Sequence, residues 1–111
     1  MKPIKTTTNF TKFDAMNARN GNPLKNCDGL TIPVDRLAIG KDSMEDGEER
    51  EVCVIVSTDN ECYTTISPTV IAMISDCIDL LEEGEKISVK IIKRTSSKGR
   101  EFISLQTMPR E

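Results

Sequence analysis

The chain has 111 residues, 30% of them charged and 37% apolar, with a formal net charge of −3. That balance suits one domain with a modest core. It excludes a membrane-spanning helix, because no apolar run reaches the roughly 18 residues a span needs, and the opening MKPIKTTTNF lacks the apolar stretch of a secretion signal.

Residues 1–12 are polar and threonine-rich, and a flexible arm or a short edge segment is expected there. Phe10 and Phe13 either stack on a ligand from this arm or anchor it to the core, and anchoring is the simpler role. Residues 14–29 are crowded with Asn, Gly, Asp and Pro, which reads as a structured loop or two short strands and not as a helix. Leu30, Ile32 and Val34 alternate in the first clear strand, residues 30–39, with Pro33 at an edge or bulge. Residues 40–49 form an acidic loop.

The run VCVIVS (residues 52–57) is the strongest strand of the chain. A turn at 58–61 leads to a returning strand at 62–66. A tight hairpin centred on Asp59 and Asn60 would place Tyr63 opposite Val56. Ser67-Pro68 then opens a helix, serine as cap and proline at the first helical position. Val70, Ile71, Ile74, Ile78 and Leu81 form its apolar stripe, and Gly84 ends it. Two strands follow, one holding Ile87, Val89, Ile91 and Ile92, the other Phe102, Ile103 and Leu105.

The expected fold is therefore all-β with one helix: a five-stranded OB-fold-like barrel with the helix between strands 3 and 4. An open α+β sheet is the alternative. Residues 13–111 would form the single domain, after the arm of residues 1–12.

Charge is segregated along the chain. Residues 42–51 carry six acids against one arginine, whereas residues 86–106 carry six of the 15 basic residues and a single acid, Glu101. The second segment reads as a basic hairpin. Lys90 and Arg94 share parity on its first strand, and Lys98 and Arg100 flank Gly99 in its loop, so these four are candidate phosphate contacts. An OB-fold binds single strands through its strand 2–3 face and the loops joining strands 1–2 and 4–5, and this basic loop would be the 4–5 loop. The plainer alternative is a solvated charged loop. Tyr63, the only tyrosine, is a candidate stacking platform or a core ring with its hydroxyl at the rim; Phe102 is a second stacking candidate. The acidic stretch lacks EF-hand spacing and reads as a solvated loop or a deterrent that keeps DNA to one face.

Catalytic and metal chemistry find little support. There is no histidine, the commonest general base at neutral pH, and no nucleophile–base pair or carboxylate dyad stands out. The four cysteines, Cys27, Cys53, Cys62 and Cys77, form no C-x-x-C pair, so free thiols are expected and neither metal nor cofactor. Thr95-Ser96-Ser97 with Gly99 lacks the phosphate-loop pattern.

Several of these stretches together resemble the single-stranded-DNA-binding proteins of the phi-29-like bacteriophages, which replicate linear genomes by protein priming. The resemblance rests on Val89-Lys90-Ile91-Ile92, on Thr95-Ser96-Ser97-Lys98-Gly99 and on Phe102-Ile103-Ser104-Leu105-Gln106. Tyr63-Thr64-Thr65-Ile66-Ser67 and Asp76-Cys77-Ile78-Asp79-Leu80 extend it, and Phe13-Asp14-Ala15 through Lys25-Asn26-Cys27-Asp28-Gly29 carries a looser likeness. It implies a protein that coats the displaced strand during phage DNA replication, without sequence preference, in the host bacterial cytoplasm. Such a protein would protect the strand from nucleases, prevent unproductive priming and remove secondary structure. Single-stranded DNA would be its partner, with the phage replication machinery a further one. Tyr63 matches one tyrosine that this family places near the strand. Two others fall near Leu37 and Met44, where this chain has none, so its binding is expected to be more electrostatic. The competing reading is a non-enzymatic interaction or host-inhibitor module, suggested by the net negative charge, the acidic loop and the few aromatics.

Overall fold

Runs of β-branched residues broken by Gly, Asn and Asp set the frame of the molecule, seen in a computed structural model that describes residues 1–43 and 45–110. In chain order the elements are β1 (Lys2–Thr6), α1 (Lys12–Asn17), β2 (Asn22–Pro23), β3 (Thr31–Ser43), β4 (Glu49–Ser57), β5 (Cys62–Thr65), α2 (Pro68–Leu80), β6 (Ile87–Thr95) and β7 (Glu101–Pro109). Short 3₁₀ turns at Ala18–Asn20 and Leu24–Asn26 flank β2.

The strands form one seven-stranded sheet in the order β2-β5-β4-β3-β6-β7, with β1 also on β3. The long strand β3 is the hinge of this arrangement. Its residues from Val34 to Ser43 pair with β4, and its residues from Thr31 to Val34 pair with β6. A register shift between Val34 and Arg36 marks a bulge where the strand changes partner. The sheet curls, but no pairing joins β5 to β7 among the described residues. Instead α2 packs against β3, β4 and β7. Its Val70, Ile71 and Ile74 meet Leu37, Ile55, Val89, Ile91 and Leu105 in the main core.

A second, smaller core lies on the other face of β4. There Val52, Val54 and Val56 pack with Ala38 and Ala18, and Phe10 closes over them. Both faces of β4 are thus covered, which is why VCVIVS is a continuous apolar run without polar alternation.

The structure corrects several expectations. Seven strands and two α-helices occur among the described residues, against five strands and one helix. The extra helix, α1, sits in the turn-rich segment read as non-helical. Its start is fixed by a capping box: the Thr11 hydroxyl accepts from Asp14 N–H at 3.2 Å, and the Asp14 carboxylate accepts from Thr11 N–H at 2.9 Å. Of the two readings of residues 1–12, the short strand segment is the one seen at Lys2–Thr6, where β1 pairs with β3. It passes Gly40 so closely that a Cβ there would stand 2.4 Å from the Lys2 carbonyl oxygen.

Phe10 is an anchor, but Phe13 is 61% exposed on α1 and anchors nothing. The acidic segment is also less of a loop than its composition suggested, because β3 runs to Ser43 and β4 begins at Glu49. The second helix does start at the Ser67 cap, yet it ends at Leu80, before Gly84. Leu81 turns to extended backbone and packs on the core.

Candidate nucleic-acid interface

The β6–β7 hairpin is a regular antiparallel ladder running from Ile87↔Pro109 to Thr95↔Glu101. Its loop is closed by Ser96 N–H donating to the Arg100 carbonyl at 2.8 Å and Gly99 N–H donating to the Ser96 carbonyl at 2.9 Å. Gly99 takes φ +81°, the left-handed conformation that this three-residue loop requires. The Ser96 hydroxyl accepts from Arg100 N–H at 3.2 Å and stiffens the turn.

Alternation divides the hairpin into two faces. Val89, Ile91, Ile103 and Leu105 are buried in the core. Lys90 and Arg94 point the other way, opposite Gln106 and Phe102 respectively, and all four are exposed. Lys98 and Arg100 extend this exposed basic surface into the loop.

Charge pairing sets these four cations apart from Arg19, Arg36 and Arg50, and from Lys93 of the same hairpin, which lies 3.8 Å from Glu101. Arg19 is held by Asp42 at 2.9 Å, Arg36 by Asp14 at 2.9 Å and Arg50 by Asp46 at 3.0 Å. Lys90, Arg94, Lys98 and Arg100 make no ion pair among the described residues. A phosphate approaching them displaces only counterions, not a protein carboxylate.

Tyr63 stands apart from this group. The β4–β5 turn is one residue wider than a two-residue hairpin, since Ser57 N–H donates to the Glu61 carbonyl and Asn60 adopts φ +65°. Tyr63 therefore lies opposite Ile55, not Val56. The shift turns its ring to the side of the main core, against which it is half-buried. Burial pushes its hydroxyl pKa up, and the charges of Asp59, Cys27 and Glu61 push the same way. Leu37, one of the positions where the resemblance led to a tyrosine, is fully buried. The other, Met44, lies outside the described residues.

Beside Phe102 a cleft opens across the unpaired gap between β5 and β7, lined by Lys25, Thr65, Ile66, Lys93 and Ile103. Lys25 and Ile66 had no distinguishing mark in the sequence: the lysine lies in a turn-rich stretch, and the isoleucine reads as one more strand residue. Only the approach of β5 to β7 brings them beside the hairpin. Among the described residues no cluster of His, Cys, Asp and Glu could hold a metal ion. No helix among them is long and apolar enough to cross a membrane.

A family model described as phage single-stranded DNA-binding protein matches residues 2–108. The chain is 39% identical over 92 residues to the single-stranded DNA-binding protein of Bacillus phage phi29, covering 78% of this chain and 74% of the relative. The homologous protein of Bacillus phage PZA gives the same figures. That of Bacillus phage B103 is 35% identical over 114 aligned positions, covering 92% of this chain and 93% of the relative. No solved structure matches the chain.

Proposed function

The chain belongs to the phage single-stranded DNA-binding protein family, and on that basis we propose that the exposed face of the β6–β7 hairpin is one wall of its DNA groove. In this reading Lys90, Arg94, Lys98 and Arg100 meet phosphates, and Phe102 offers its ring to a base. Tyr63 contributes from the half-buried rim of the core. The observation that carries the assignment is that Lys90 and Arg94, which make no ion pair among the described residues, share one exposed face with Phe102. Binding is sequence-independent, because phosphates and ring faces are common to every nucleotide.

The topology fits an OB-fold. Strands β3 to β7 follow the Greek-key order in which the first strand pairs with both the second and the fourth, with α2 inserted after the third. β1, β2 and α1 are additions to that frame, and residues 13–111 act as one binding domain. The protein works by coating and protecting displaced strands during phage DNA replication in the host bacterial cytoplasm, without catalysis, metal or cofactor.

Titration of the protein with labelled oligo-dT at low salt tests the assignment. Binding that weakens at least about tenfold when Lys98 and Arg100 are both replaced by glutamate supports it. Binding indifferent to these changes removes the hairpin from the site.

A further inference from the structure

The basic end of the β6–β7 hairpin outruns the sheet that carries it. β3 pairs with β6 only from Thr31↔Lys90 to Val34↔Ile87. One more pair of bonds follows: Ile91 N–H donates to the Leu30 carbonyl and Gly29 N–H to the Ile91 carbonyl, both at 2.9 Å. On the other side, β7 ends the sheet and has no second neighbour among the described residues. Arg94, Lys98 and Arg100 thus ride on a two-stranded finger. Beyond Lys93 its backbone hydrogen bonds among the described residues are all internal to the hairpin. A ribbon of two strands holds itself only weakly.

One side chain reaches the root of this finger. Lys93 N–H faces the β3 side, as Ile91 N–H does two residues earlier. The chain ahead of β3 turns away there, in a turn closed by Leu30 N–H donating to the Cys27 carbonyl at 2.9 Å. The Asp28 carboxylate extends the ladder in its place, accepting from Lys93 N–H at 2.9 Å. Its support is fixed: Cys27 N–H donates to the Leu24 carbonyl at 3.0 Å, and Leu24 is fully buried in the main core. Asp28 is exposed and makes no ion pair among the described residues. A lone carboxylate near a phosphate site opposes binding by its charge. Its contribution therefore lies in the bond it makes.

We propose that Asp28 is a positioning residue for strand binding. Its bond to Lys93 N–H fixes the direction of the finger, so that Arg94, Lys98 and Arg100 are already placed when single-stranded DNA arrives. Asp28 itself touches no DNA. A finger free to pivot has to be ordered on binding, and that ordering lowers affinity. This inference rests on the reading of the hairpin as one wall of the DNA groove.

Two substitutions separate the bond from the charge. Asp28→Ala and Asp28→Asn both remove the negative charge, but the asparagine amide oxygen still accepts from Lys93 N–H. Asp28→Ala should weaken oligo-dT binding about fivefold in anisotropy titrations, as for a finger correctly placed about a fifth of the time. Asp28→Asn should bind at least as tightly as the wild type. The Lys93 amide proton should exchange with solvent faster in Asp28→Ala only. In a Lys98→Ala/Arg100→Ala background the loss from Asp28→Ala should shrink to about twofold or less, because the finger then has less to present. A general effect on the fold would be equal in both backgrounds.

Wild-type or tighter binding by Asp28→Ala overturns the proposal. So does an equal loss in Asp28→Asn, or a loss of full size in the Lys98→Ala/Arg100→Ala background. Wild-type affinity of Lys98→Ala/Arg100→Ala itself overturns instead the hairpin reading on which the proposal rests.

Discussion

Arg94 and Phe102 stand directly opposite each other across the β6–β7 ladder, a cation and an aromatic ring on the same exposed face of one hairpin. Side chains in such cross-strand pairs are neighbours, so a nucleotide stacked on the ring brings its phosphate within reach of the guanidinium. The pair unites in one place the two chemistries that sequence-tolerant single-strand binding uses.

Phe102→Ala is expected to weaken oligo-dT binding about tenfold, corresponding to ~1–2 kcal/mol of lost stacking. Arg94→Ala should cost a comparable amount at low salt. Because both would contact the same nucleotide, the double variant should lose less than the two single losses combined. Anisotropy titrations of the four proteins measure this, and strict additivity would place the two residues on different nucleotides.

Affinity should fall steeply with salt. Replacing Lys98 and Arg100 by alanine removes two phosphate contacts and should make the log–log salt slope shallower by about 1.4. A slope equal to that of the wild type would mean that the loop cations stay in solvent throughout binding.

Tyr63 is the only tyrosine, so its phenolate absorbance titrates without overlap from others. Burial raises its folded-state pKa above the ordinary value of 10.0. The native state then holds a proton that the unfolded chain has lost, and the contribution to stability falls as pH rises through and above 10. An absorbance midpoint above that of the unfolded protein is expected. Tyr63→Phe should abolish this signal while keeping the fold, because burial and nearby charges, not a hydrogen bond, set the hydroxyl's environment.

Arg36 ties α1 to the sheet. It pairs with Asp14 at 2.9 Å, donates to the Asn60 side chain at 3.1 Å and also contacts Asp35, while only 17% of its side chain is exposed. Arg36→Ala should destabilise the protein by about 1–3 kcal/mol, because Asp14 is left with little solvent and no counter-charge. Thermal melting checks the size. Loss of α1 from its place would also uncover the smaller core, so increased binding of a hydrophobic dye should accompany it.

Much of the frame is legible in the sequence because its causes are local. The β-branched run of β4, the Ser67-Pro68 start of α2 and the loop glycine Gly99 each rest on residues within a few positions of one another. The hairpin's basic face is legible for the same reason, since parity along one strand places Lys90 and Arg94 together. The capping box Thr11-x-x-Asp14 was equally local, but the surrounding turn residues masked it. β1 left no mark because its pairing depends on a distant glycine, Gly40, that lets two backbones approach.

Neighbouring residues alone were enough to set the order of the main strands, the one long helix and the segregation of charge onto one hairpin. Which way Tyr63 faces was settled by the register that the Ser57–Glu61 turn imposes, and what lies beside Phe102 only by long-range packing. A strand fixes which of its residues share a face, but the face itself depends on register, and one extra residue in the Ser57–Glu61 turn reverses it. The cleft of Lys25 and Ile66 depends on β5 approaching β7 across a gap that no backbone pairing among the described residues bridges. α2 packs against β3, β4 and β7 on the inner face of the curled sheet, a long-range burial of apolar surface that no local stretch of residues encodes.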